Sequence, residues 1–103
     1  MADYRVTGTL SPDATGDYTQ NGTHNGEPAY ERDGDGAYWI WSDGGGNWYI
    51  SAGKGALPSC WYRTGDIAGE YAPVIYTGTA TVVSPTTGYL PLSTAGGYLV
   101  LST

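Results

Sequence analysis

Short runs rich in Tyr, Trp, Val, Ile and Thr alternate along the chain with clusters of Gly, Pro, Asp and Asn. The first set favours a pleated, half-buried backbone and the second supplies turns, so the pattern predicts strands rather than helices. Strands are expected near Tyr4–Leu10, Gly16–Gln20, Pro28–Arg32, Ala37–Ser42, Asn47–Ala52, Ser59–Thr64, Val74–Val83, Gly88–Leu92 and Gly97–Ser102. The turns between the earlier ones read SPDATGD at 11–17, NGTHNGEP at 21–28, DGDG at 33–36, SDGGGN at 42–47 and GKGALP at 53–58. Many short strands at even spacing predict an all-β fold, a small antiparallel β-sandwich or barrel with short strands and Gly-rich turns.

The central hairpin, AYWIWSDGGGNWYISA, can be read in more detail. With Asp43–Gly46 as its loop, Ser42 faces Asn47, Trp41 faces Trp48, Ile40 faces Tyr49 and Trp39 faces Ile50. Side chains alternate across a strand, so Trp39, Trp41, Trp48 and Ile50 are expected on one face and Tyr38, Ile40, Tyr49 and Ser51 on the other. Both faces are then largely apolar, which places the hairpin centrally in a sandwich or beneath a covering element.

Charge changes the picture at the C-terminal end. Glu70 is the last charged residue, and 71–103 contains no Asp, Glu, Lys or Arg. A segment such as YLVLS, with neither charge nor proline, is an aggregation hazard unless something covers it. We therefore divide the chain into a β domain over 1–83 and an uncharged C-terminal extension over 84–103, either an assembly arm or the last strands. Leu90, Leu92, Leu99 and Leu101 are its candidate contact residues. Two short echoes, SPDATGDY with SPTTGY and LST at 92–94 and 101–103, are too brief to define a repeat.

Composition narrows the function. The 103 residues suggest one domain, with Phe absent and ten Tyr and four Trp carrying much of the apolar load. The net charge of −6 and four scattered basic residues, Arg5, Arg32, Lys54 and Arg63, argue against nucleic acid and against an anionic membrane surface. No run of 18 apolar residues occurs, so no membrane span is expected. MADYRVTGTL lacks an apolar leader core, so synthesis in a cytoplasm without secretory export is expected.

The candidate chemistry is thin. The single cysteine, Cys60, reads as a small buried hydrophobe, and the one histidine, His24, lies in a turn-like stretch. ERDGDG places Asp33 and Asp35 among glycines, but the oxygen-ligand spacing of a calcium loop is not met, and the segment reads as a tight turn. One Cys and one His disfavour zinc. Glu27, Glu31, Asp33, Asp35, Asp66 and Glu70 show no spacing that singles out an acid–base pair. No GxSxG elbow is present. The chain is expected to be no enzyme and to need no cofactor. What remains is the aromatic set: Trp39, Trp41, Trp48, Tyr49 and Trp61, with Tyr62 beside them. These rings either form the core in place of Phe or present a flat platform to a partner or a sugar ring.

The series YRVTGTLSPDATGDYTQNGTHNGEPAYER, AYWIWSDGGGNWYISAGKG, CWYRTGD, GEYAP and TGTATV resembles small β modules of tailed-bacteriophage structural proteins, capsid-decoration or tail-associated, over about the first 83 residues. The resemblance implies a non-enzymatic virion protein made in the host cytoplasm. Its most concrete form is a capsid decoration (cement) protein that binds the major capsid protein or other virion subunits. A homo-oligomer, with a trimer favoured, fits that reading, and the tail would then add a strand to a neighbouring sheet. The alternative is a carbohydrate-binding, host-recognition module of tail-fibre or lectin type, using the Trp/Tyr platform for a glycan.

Overall fold

A computed structural model describes residues 2–84 and, as backbone alone, the segments Ser93–Ala95 and Tyr98–Val100. Eight antiparallel strands close into a barrel in sequence order. They are β1 (Tyr4–Thr7), β2 (Gly16–His24), β3 (Glu27–Arg32), β4 (Trp39–Ser42), β5 (Asn47–Ser51), β6 (Cys60–Thr64), β7 (Gly69–Val74) and β8 (Ala80–Val83). β1 closes the ring on β8, with Val6 opposite Val82. β9 (Ser93–Ala95) and β10 (Tyr98–Val100) pair only with each other. Of the leucines assigned to the extension, Leu90, Leu92 and Leu101 lie outside the described residues, and Leu99 falls in β10, where only the backbone is described.

The fold class is as the pattern predicts, and closure decides between the two architectures left open. Every strand from β1 to β8 has a partner on both sides, so the barrel offers no free sheet edge of the kind that open sheets must protect. A tail can therefore add a strand to another protein's sheet but not to the barrel of a second copy.

The interior is packed with the alternate residues of each strand. Val6, Tyr18, Ile40, Ile50, Trp61, Tyr71, Ala80 and Val82 are almost wholly buried there, with Ala14 from the loop before β2. Rings do much of the filling that Phe would do elsewhere, and each keeps its polar atom satisfied. Tyr18 donates to the Ala14 carbonyl at 2.7 Å and Tyr71 to that of Ile67 at 2.5 Å, so each pins the loop before its own strand. Trp61 Nε1 donates to the Gly78 carbonyl at 3.0 Å. Gly78 sits at φ +96, and an added Cβ would collide with the Thr9 backbone. Only glycine allows the two loops to approach so closely there.

Three readings of the strands need correction. β7 lies at Gly69–Val74, ahead of the expected Val74–Val83, and the chain turns between Val74 and Ala80 before β8. Pro73, which has no N–H to give the ladder, is exposed and stands opposite Trp61. β2 runs past Gln20 to His24, across an irregularity between Gln20 and Thr23. The central hairpin is shifted by one residue: Ser42 faces Trp48, Trp41 faces Tyr49, Ile40 faces Ile50 and Trp39 faces Ser51. Asp43 causes the shift. Its carboxylate accepts from Gly45 N at 2.7 Å and Asn47 N at 3.3 Å, and its own N–H bonds the Asn47 carbonyl, so Asn47 becomes part of the turn. A slip of one residue exchanges the faces of a strand. Trp48 and Ile50 consequently turn inward, and Tyr49 turns outward beside Trp41.

Candidate functional site

With that register, the five aromatic candidates separate across the barrel wall. Trp61 is fully buried inside, 4.6 Å from the Tyr76 ring, and Trp48 packs half-buried against the same core. Trp39, Trp41 and Tyr49 lie outside. No single platform unites the set, which corrects the expected grouping of Trp39, Trp41 and Trp48 on one face.

Trp41 is buried although it points outward, with 2% of its surface exposed. His24 meets it edge-on at 5.3 Å, and Tyr49 stacks on it at 4.5 Å with planes 17° apart. Its Nε1 donates to Ser51 Oγ at 2.9 Å, and Ser51 Oγ donates to the Gly53 carbonyl at 2.8 Å, which ties the β5–β6 loop to the wall. Trp39 is half-buried under the Lys54 ammonium, 5.0 Å from the ring centroid.

The stack continues across the sheet. Tyr62 follows Tyr49 at 5.8 Å, with planes 29° apart. Trp41, Tyr49 and Tyr62 thus form a ladder over β4, β5 and β6, each ring covering a face of the next. On β7 the residue opposite Tyr62 is Ala72, too small to continue the ladder. At this end the wall holds an apolar depression of about 310 Å³, lined by Tyr49, Leu57, Pro58, Cys60, Tyr62 and Val74. Cys60, 2% exposed, is among the lining residues, and burial pushes its thiol pKa up, so it stays protonated and unreactive at neutral pH. Leu57 is 54% exposed and Ile75, next to Val74, is 72% exposed. Ile75 also holds φ +72, a left-handed backbone that β-branched residues rarely adopt.

A polar row lies beside the ladder. Asp43 accepts from Asn47 Nδ2 at 2.8 Å and from the Tyr49 hydroxyl at 3.3 Å, and Thr64 Oγ1 donates to Asn47 Oδ1 at 2.7 Å. The hydrogen bonds from Asn47 and Gly45 hold the Asp43 pKa below the ordinary carboxylate value.

A larger depression, about 630 Å³, lies on the far side among Thr19, Asn21, Glu31, Arg32, Asp33 and Asp35. Its polar groups are engaged with one another. Arg32 grips Asp35 bidentately at 3.0 and 2.7 Å, Thr19 donates to Asp33 at 2.7 Å, and Asn21 donates to Glu31 at 3.1 Å. The turn expected for ERDGDG is what forms, with Gly34 and Gly36 at positive φ. Among the described residues no three His, Cys, Asp or Glu side chains group as a metal site would require. Size alone favours this cleft, but its polar groups satisfy each other, whereas the smaller depression is open apolar surface that water solvates poorly. We take the smaller one as the site.

Leu57, Pro58, Val74 and Ile75 were not singled out from the sequence. The available signal was that GALP and APVI are uncharged apolar runs beside turns; their meeting over Cys60 depends on the pairing of β6 with β7.

Comparison with models of known protein families, with curated proteins and with solved structures finds no match.

Proposed function

We propose that this chain is a non-catalytic structural protein that attaches to neighbouring subunits through the apolar face around Tyr62, and that its setting is a virion, where it acts as a capsid decoration (cement) protein. The observation that supports attachment is the uncharged depression lined by exposed Leu57, Tyr62 and Val74, with exposed Ile75 next along the chain, on an otherwise acidic chain. Apolar surface gathered in one place marks a contact, whereas scattered exposed residues do not. A concave seat with aromatic walls is the form that dominant contacts take at protein interfaces. The virion setting rests on the resemblance of the sequence to phage structural modules. Ile75 adds support: a strained backbone at an exposed residue of no use to the core fits a contact made with another molecule.

The test is co-sedimentation of the full chain with purified capsid shells of the phage that encodes it. Wild type should pellet with shells, and Leu57→Asp, at an exposed position, should pellet far less while melting at the same temperature. A wild-type chain that stays in the supernatant at saturating shell concentration sinks the decoration reading.

The glycan reading has one observation in its favour, the polar row Asp43, Asn47 and Thr64 beside Tyr49 and Tyr62. It ranks second because those groups already bond each other and the depression itself offers a sugar few hydroxyl partners. Oligosaccharide titration that changes the tryptophan emission, and fails with Tyr62→Ala, would promote it.

A further inference from the structure

The apolar depression lies at one end of the barrel, and the chain leaves the barrel at the other. Cys60 pairs with Val74 and Tyr62 with Ala72, so the depression sits where β7 ends. Gly69 pairs with Val82 and Tyr71 with Ala80, so β8 ends where β7 begins. β8 therefore carries the chain away from the depression. The five-residue step from Gly69 to Val74 puts the two about 17 Å apart along the strand direction. Ser84 precedes Pro85, and a residue before proline is disfavoured from the helical region, so β8 is not followed at once by a helical turn at Ser84. To reach its own depression the chain must reverse and retrace the barrel. A second copy placed beyond the exit receives it without a reversal.

The electrostatics point the same way. Every charged residue lies at or before Glu70, and the chain carries −6 overall, so two barrels repel. The segment 85–92, PTTGYLPL, has no charge, and neither has any residue lining the depression. These are two parts of the chain that meet without like-charge repulsion, and both gain by leaving water. The closed barrel also denies the tail a sheet edge on the barrel of a second copy, so contact with that barrel is made by side chains in a seat.

We propose that the depression seats Leu90–Pro91–Leu92 of a second copy, so that copies are joined by exchange of their tails. The inference rests on the reading of this face as an assembly contact and names what occupies it. Each copy gives a tail and receives one at a different surface, which is a heterologous contact, and a ring is its closed form.

The test uses the full-length chain with Val74→Cys, at the 38% exposed rim of the seat, because Cys60 itself is too buried to react. Leu90→Cys is introduced, the protein is oxidised gently, and the products are sized on a non-reducing gel and identified by peptide mass. The expected result is chains linked to one another by a disulfide between the thiol introduced at position 74 of one copy and that at position 90 of another. The yield should fall at least five-fold when Leu57→Asp is added, with the melting temperature unchanged. Light scattering should show wild type as a defined oligomer. A monomer-sized product with the same linkage overturns the proposal, because the tail then folds onto its own barrel. So does a wild-type chain that remains monomeric up to about 1 mM, the effective concentration of a short flexible tether. If the linkage fails while Leu57→Asp still abolishes sedimentation with shells, the attachment reading stands and only the named occupant falls.

Discussion

Replacing Trp41 by alanine removes an outward-pointing ring that is 98% covered, and this separates a structural ring from a recognition ring. The ring touches His24 on one side and Tyr49 on another, and its Nε1 is bonded to Ser51. Truncating a buried Trp costs about 3–5 kcal/mol, the lost transfer energy and the cavity together. Loss of the indole also leaves Ser51 Oγ without its donor, although its own bond to Gly53 persists. At about 4–8 °C per kcal/mol for a domain near this size, a loss of ~4 kcal/mol lowers Tm by about 15–30 °C. The assay is thermal unfolding by circular dichroism, with urea titration at 25 °C for the free energy. Tyr62→Ala, on the same ladder but 40% exposed, is the comparison and should cost no more than about 1 kcal/mol. A Trp41→Ala loss below ~1 kcal/mol would show that the ring is not packed as described and would return it to the list of contact residues.

Three further outcomes are expected. Tyr18→Phe deletes the donor to the buried Ala14 carbonyl and should cost about 1–3 kcal/mol in a urea titration; no change would mean that water reaches that carbonyl. Asp35 is held down to about 2 by its hydrogen bonds from Arg32 and Ala37, so its contribution is present above its unfolded value near 3.8 and is lost as pH falls through about 2. The urea midpoint should therefore drop between pH 4 and 2, and Asp35→Asn should flatten that part of the profile; an unaltered profile refutes the assignment. Ile75→Asn places a residue tolerant of positive φ at the strained position and should stabilise the fold by roughly 1 kcal/mol while weakening attachment to shells. Lower stability together with full attachment would contradict both roles given to Ile75.

The chain alone established the strand-rich class and most of the turn positions. These follow from local chemistry: β-branched and aromatic residues fit a pleat, and Gly, Asp and Asn fit turns, whatever lies far away in the chain. It also marked the uncharged extension, because charge is read residue by residue. It did not determine which rings are buried. That depended on the register of one hairpin, where the hydrogen bonds of the Asp43 carboxylate draw Asn47 into the turn and exchange the faces of β5. β7 was missed for a related reason. Pro73 disfavours a strand locally, but pairing with β6 and β8 on either side outweighs the one missing donor. Only the tertiary structure closed the barrel and brought Leu57, Pro58 and Val74 together beside Cys60. Those residues lie on a loop and two strands that meet solely through long-range pairing, and no local pattern in the chain encodes such a meeting.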